Sequence, residues 1–346
     1  MNKQLGMANI KIFTGVLIAV AAVIAVFALM WLDTTGEKGS GLGKAFEYDI
    51  KELAKIDPNL ILYKESAEAI DTGLKASHGI AVGSDGRIYV AGDNAIRVFG
   101  QGGDLLSEIP VGGMPRCLAA ADDGRIYVGV KDHVEIYDGQ GKRLAAWQSL
   151  GEDAVLTSVA VSGNDVFVAD AGNRIVTHHD VGGKLINRIG KKDKDKNIPG
   201  FLIPSPYFDL AVGRDGLLRV VNPGLHRIEA YTFEGDLEFS WGRFSSHLDG
   251  FTGCCNPVNF AILGDGSFVT CEKGLVRVKI YDADGAFVGV VAGPEQLVAG
   301  GASRVCEFPS ECQAGGFDVA VDAAGRIFVL DTIKNVVRIF SRIKAE

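Results

Sequence analysis

From Gly79 onward the chain writes one alternation of apolar and polar positions six times over. The copies read "GIAVGSDGRIYVAGDNAIRVFG" from Gly79, "CLAAADDGRIYVGVKDHVEIYD" from Cys117, "SVAVSGNDVFVADAGNRIVTHH" from Ser158, "DLAVGRDGLLRVVNPGLHRIEAY" from Asp209, "NFAILGDGSFVTCEKGLVRVKIY" from Asn259 and "DVAVDAAGRIFVLDTIKNVVRIF" from Asp318. Each begins with a short apolar run, meets an Asp-Gly or similar turn, and continues with a second run such as "RIYVA". A polar loop, a third run such as "IRVFG", a glycine turn and a fourth such as "DLEFSWG" follow. Alternation of this kind predicts strands, and the Asp-Gly turns suggest two-residue hairpins. The aligning alanines are Ala81, Ala119, Ala160, Ala211, Ala261 and Ala320, 38 to 59 residues apart. Repeats of about 40 residues with four short strands predict an all-β propeller of six blades, because one such sheet cannot bury both faces alone. The sixth copy ends at "VVRIFSRIKAE" with no room for a fourth strand, while "NLILYKES" from Asn59 has no sheet of its own. That segment is expected to complete the last blade.

The patterning before the repeats is of another kind. Residues 12–32 form an uncharged, mainly apolar run, long enough as a helix to span a hydrocarbon core. A cleaved signal peptide is the competing reading, but the best small-x-small site, Val26 and Ala28, is poor. Lys3 and Lys11 precede the run and Asp33 and Glu37 follow it, which places the N-terminus in the cytoplasm and the rest outside. The expected plan is a cytoplasmic segment 1–11, a single-pass anchor 12–32 in the cytoplasmic membrane, a tether 33–57 and a periplasmic or extracellular propeller 58–346.

"VADAGNRIV", "VNPGLHRIEAY" and "VLDTIKNVVRIF", with the long linkers "IGKKDKDKNIPGFLIPSP" and "WGRFSSHLDGFTGCCNP", resemble NHL repeats over residues 59–343. The resemblance implies a six-bladed NHL propeller in a family of protein-binding platforms, extracytoplasmic sensor domains of bacterial kinases, RNA-binding domains and a few lyases. Fold does not fix function. A net charge of −8 argues against nucleic acid, whose phosphates need a basic footprint. No Gly-x-Ser-x-Gly elbow, phosphate-binding loop or His-Glu-x-x-His helix occurs.

Strand direction alternates, so the loops between second and third strands share one face with the linkers between blades. Cys254, Cys255, Cys271, Cys306 and Cys312 all fall on that face in blades five and six, and Cys117 opens towards it from blade two. Three readings stand side by side. Cysteines outside the cytoplasm usually pair, so one reading is one or two structural disulfides pinning the long linkers, Cys306 with Cys312 or either of them with Cys254 or Cys255. A thiol-bound metal or redox centre is the second, although no Cys-x-x-Cys knuckle is present. Packed free thiols are the third.

The residues two before the aligning alanines ring the channel mouth. Among them Asp209, Asn259, Asp318 and Cys117 are candidates for a hard cation such as calcium, or for hydrogen bonds to neighbouring strand ends. His78, His133, His226 and His247 approach the same face, and related lyases hold a metal with several histidines at the channel. His178 and His179 approach the other face. Asp170 with Arg174, and Asp331 with Arg338, are expected ion pairs bracing the loops after the second strands, with Arg97, Arg227 and Arg277 in equivalent places. The functional expectation is a platform that binds an extracytoplasmic protein or small ligand through its cysteine-bearing face and requires no cofactor. The alternative is a redox or metal protein using the Cys254, Cys255, Cys271, Cys306 and Cys312 cluster.

Overall fold

The computed structural model describes residues 2–31, 50–301 and 315–344, with side chains of the first helix described from 13 to 28. The chain divides into two units, Met1–Asp49 and Ile50–Glu346.

The first unit contains one helix, Asn2–Trp31. Among the described residues no helix is long and apolar enough to cross a membrane. The span expected over residues 12–32 is therefore not shown, since the described side chains stop short of the roughly 20 residues that a bilayer requires.

The second unit is built of six antiparallel sheets. Blade one comprises Ser77–Val82, Ile88–Gly92, Ala95–Phe99 and Leu105–Pro110, and blade two Pro115–Ala120, Ile126–Val130, His133–Tyr137 and Arg143–Ala146. Blade three holds Leu156–Ser162, Asp165–Asp170, Ile175–Asp180 and Leu185–Ile189; blade four holds Leu210–Val212, Leu218–Asn222, Arg227–Tyr231 and Leu237–Trp241. Blade five is Asn259–Ile262, Phe268–Glu272, Arg277–Tyr281 and Phe287–Ala292. Blade six takes Asp318–Val321, Ile327–Asp331 and Val336–Arg342 from the end of the chain, and its fourth strand is Tyr63–Glu65, paired antiparallel with Tyr63 opposite Arg342. A further short strand, Ile70–Asp71, pairs with Val336–Arg342 beside it.

The hairpins after the inner strands differ in detail from the two-residue expectation. In blade one Gly83 N–H bonds Arg87 C=O and Gly86 N–H bonds Gly83 C=O, which leaves three residues in the loop with Gly86 at φ 78°. Blades two, four, five and six repeat this pattern. A type I turn closed by a left-handed residue accommodates the Asp-Gly pair, with Asp supplying a side-chain acceptor and Gly the positive φ. In blade one Asp85 Oδ1 accepts from Arg87 N–H at 3.0 Å. Blade three keeps the two-residue loop, Ser162 pairing with Asp165 across Gly163 and Asn164.

The core lies between blades. Val269, Cys271, Val278 and Ile280 of blade five pack against Val319, Ile327, Val329 and Phe340 of blade six, with Tyr63 among them. Cys117, Tyr127 and Ile136 of blade two meet Leu156, Val159, Val166 and Val168 of blade three. Ile80, Ile88 and Val90 of blade one meet Phe328, Leu330 and Ile339 of blade six. Each sheet thus buries both faces only because it has two neighbours.

Arg97, Arg227 and Arg277 brace their blades through Glu108, Glu229 and Glu272 at 2.8, 2.6 and 2.7 Å. The other two expected pairs are rearranged. Asp170 accepts instead from Val155 and Asn173 N–H groups, and Asp331 from Ile333 and Lys334 N–H groups. Both carboxylates accept from backbone donors of the loops beside them, a role that a guanidinium, which only donates, cannot fill. Arg338 turns outward to Glu65, with both Nε and Nη2 donating at 2.8 and 2.7 Å. Such bidentate pairing fixes the closing strand to the last. Deleting residues 59–66 is expected to lower the melting temperature of the whole ring in one transition, measured by differential scanning calorimetry. An unchanged midpoint contradicts closure as a source of stability.

Candidate functional site at the channel mouth

The inner strands begin around a small cavity of about 150 Å³ to which five blades and the linker into blade four contribute. His78 and Arg116 come from blades one and two, Thr157 from blade three, Tyr207 from the linker into blade four, and Asn259 and Asp318 from blades five and six.

The ring residues first serve to join blades. Asp209 Oδ2 accepts from Phe260 N–H of the next blade at 2.8 Å, and Oδ1 from Leu210 N–H at 2.8 Å. Asp318 does the same at the seam where the ring closes, accepting from Ile80 N–H of blade one and from Val319 N–H, each at 2.8 Å. Asn259 Nδ2 donates to Phe317 C=O at 2.7 Å, and Thr157 Oγ1 donates to Phe208 C=O at 2.6 Å. The inner strands of neighbouring blades offer unpaired backbone groups to one another, and short polar side chains satisfy them.

Burial pushes the Asp209 carboxyl up to about 6. Burial, then the neighbouring Asp209, pushes Asp318 up to about 7. His78 is drawn below the ordinary histidine range by burial and by Arg116, and its buried Nε2 has no hydrogen-bond partner. The mouth therefore presents a neutral imidazole, a carboxyl that titrates near neutrality and an arginine.

The histidines do not meet. His133 Nδ1 contacts Asp132 at 3.0 Å, His226 Nε2 donates to Gly253 C=O at 2.8 Å, and His247 donates through its backbone N–H to Ser245 Oγ at 3.1 Å. His178 Nε2 bonds Asp165 at 2.6 Å and His179 stacks on Trp147. Among the described residues no group of three or more His, Cys, Asp or Glu side chains is placed to hold a metal ion. Asp209, Asn259 and Asp318 spend their oxygen and amide groups on backbone partners, which does not fit a calcium cage, and the histidines do not fit a shared metal.

The cysteines separate into two kinds. Cys117 and Cys271 are buried in the cores between blades two and three and between five and six, and burial pushes both thiols up. Cys254 and Cys255 lie together in the linker before blade five, Sγ to Sγ 3.2 Å. Among the described residues all four cysteines are free thiols, so the expected disulfides are not found there. Cys306 and Cys312 lie outside the described residues. Cys271 does not join the pair because its place in the second strand points it into the interblade core.

The Cys254 loop is held from several sides. Asn256 Nδ2 donates to Thr252 C=O at 2.6 Å and to Lys273 C=O at 3.0 Å, while Lys273 N–H donates to Asn256 Oδ1 at 2.9 Å. Thr252 N–H donates to Glu272 Oε1 at 3.0 Å. Beneath the loop Glu272, Arg277 and Lys279 are fully buried together. The Glu272 carboxylate takes Arg277 at 2.7 Å and Lys279 at 3.1 Å, and Lys279 Nζ also donates to Leu248 and Gly250 C=O groups.

Sequence reasoning missed Arg116, Ser205, Tyr207 and Lys273. Arg116 was within reach, standing one place before the ring position of blade two. Ser205 and Tyr207 lie in a linker that matches no repeat.

No family model matches the chain, and no curated protein matches it. Among solved structures the chain is similar to a streptogramin B lyase at 13% identity and TM-score 0.55, over 82% of this chain and 98% of that one. It is similar to virginiamycin B lyase from Staphylococcus aureus at 14% identity and TM-score 0.51, over 82% and 90%. The WD40 propeller domain of Doa1 matches at 19% identity and TM-score 0.52, over 78% and 79%. At these identities the likeness is one of fold, and the chain carries a six-bladed β-propeller.

Proposed function

We propose that this propeller, of NHL type, is a protein-binding platform that engages an extracytoplasmic partner through the face bearing its linkers and Cys254. The cavity at the channel mouth, lined by five blades and the linker into blade four and containing Arg116 and the unpartnered Nε2 of His78, carries this reading. Its volume is below the 300 to 1,000 Å³ usual for small-molecule sites but suits one polar side chain of a docked protein. Leu202, Leu225 and Phe244 stand exposed in the linkers and loops around blade four, and Leu202 lies against Gly224 in the loop that carries Leu225. Exposed apolar residues of this kind commonly form part of protein interfaces. The uncharged run of residues 12–32 supports attachment to the cytoplasmic membrane, with the propeller outside.

Arg116→Glu tests the reading, because Arg116 lines the cavity while the interblade cores lie elsewhere. Proximity labelling in native membranes is expected to enrich a partner with the wild-type chain and to lose it by more than tenfold with the variant. Equal labelling by the variant, or no enrichment over the N-terminal segment alone, overturns it.

A further inference from the structure

Two of the described thiols differ from the others in a way that packing does not require. Cys255 is 1% exposed, whereas its neighbour Cys254 is open to solvent. Their sulfurs stand 3.2 Å apart, within the range at which reacting atoms are poised. Ser205 Oγ donates to Cys255 Sγ at 3.2 Å, and Lys273 Nζ donates to the same Ser205 oxygen at 3.2 Å. The Lys273 ammonium is itself nearly buried and sits 5.0 Å from the ring centre of Tyr207. A buried sulfur, a serine hydroxyl and a lysine thus form a chain that ends on a solvent-accessible second sulfur.

We propose that Cys254 and Cys255 are a redox-active dithiol that exchanges with disulfides of proteins or small thiols, with Cys254 as the attacking sulfur and Cys255 as the resolving one. Cys254, deprotonated by solvent, attacks one sulfur of a disulfide R–S–S–R. That bond breaks and one thiolate leaves, to be protonated by solvent. The Cys255 thiolate then attacks Cys254 Sγ, the mixed disulfide breaks, and the second thiolate leaves. The protein ends with a Cys254–Cys255 disulfide, having given two electrons to the partner and two protons to the medium or to the released thiols. The reverse sequence oxidises a dithiol.

Exposure makes Cys254 the attacking sulfur, while the electrostatics favour Cys255 as the resolving thiolate. Burial raises the Cys255 thiol, but hydrogen bonds from Ser205 and Cys254 and the Lys273 ammonium outweigh it and hold the group below the ordinary cysteine range. Cys254 is raised, first because its S–H is held by Cys255. Cys254 attacks through the thiolate fraction it forms by losing its proton to solvent, and the Cys255 thiolate is held ready to resolve the mixed disulfide. Cys117 and Cys271 have no such surroundings.

The test uses the full chain with Cys306 and Cys312 replaced by serine, reacted anaerobically with 5,5′-dithiobis(2-nitrobenzoate). The dithiol is expected to release two nitrothiobenzoates per protein and to yield a peptide with Cys254 bonded to Cys255, reversible by dithiothreitol. Cys255→Ser should stop at one equivalent, with the adduct trapped on Cys254, while Cys254→Ser should lose the fast phase altogether. Lys273→Met should shift the pH dependence of the resolving step upward, about tenfold in rate for each unit of displaced pKa. Cys254 lies on the surface, so its serine variant tests the idea even if a change at Cys255 unfolds the loop. Trapped adducts that never resolve in the dithiol protein overturn the proposal. So does finding Cys254 or Cys255 bonded to Cys306 or Cys312 when the unmodified chain is mapped by mass spectrometry.

Discussion

Replacing Glu272 by alanine is expected to lower the melting temperature of the propeller by about 10 °C. Glu272, Arg277 and Lys279 are all fully buried, and the one carboxylate pairs with both cations, at 2.7 and 3.1 Å. Burial alone would raise Glu272, yet Arg277 and Lys279 hold it below the ordinary glutamate range, which marks it as an ion. Removing one member of such a set leaves two positive charges in a dry core, at a cost of about 3 to 5 kcal/mol. At about 2 to 4 °C per kcal/mol for a domain of this order of size, the midpoint falls by the amount stated. Burial has already brought Lys279 down to about 8, so Lys279 relieves part of the strain by losing its proton. The double change Glu272→Leu with Lys279→Met should accordingly cost less than Glu272→Ala. Thermal denaturation of the three proteins decides it, and a single variant that melts with the wild type overturns the account.

The second large effect is expected against pH. Asp209 and Asp318 have folded pKa values of about 6 and about 7 against the ordinary 3.8. A carboxyl raised by folding takes up a proton when the chain folds. Its contribution is fully present below about pH 4 and is lost as pH rises through 6 to 7. Asp209 helps to raise Asp318, so the pair loses stability together across that range. Asp318→Asn keeps a neutral group at the seam and should flatten the decline. Its melting temperature should gain on the wild type by several degrees between pH 5 and pH 8. Parallel profiles from the two proteins would show that the carboxyl ionises freely in the folded state.

Much of this architecture was legible because the repeat is a consequence of elementary packing. Apolar residues at alternate places, followed by Asp-Gly, can be little else than hairpins in a stacked ring, and Ala81, Ala119, Ala160, Ala211, Ala261 and Ala320 mark the narrow inner strands. The ring positions were also legible, and the hydrogen-bonding role of Asp209, Asn259 and Asp318 emerges at them. What was not legible depends on linkers. Their backbones follow no period, so nothing in "IPSPYFD" signals that Ser205 reaches Cys255 or that Tyr207 lines the channel mouth. The five-cysteine grouping was too coarse for the same reason. Parity assigns a face to a loop, but the direction of one side chain separates Cys271 in the core from Cys254 and Cys255 in the linker.

The last blade draws its fourth strand from Tyr63–Glu65 and its other three from residues beyond Asp318. During synthesis the early strand must therefore wait, unpaired, while the five preceding blades and most of the sixth leave the ribosome. Contacts so far apart in the chain form slowly, and the Val336–Arg342 strand presents a bare edge until its partner arrives. A chain cut short within blade six has nothing to offer that waiting strand. The Tyr63–Glu65 and Val336–Arg342 strands must then both be in place before the edge of the last blade is safe from pairing with a second copy of itself.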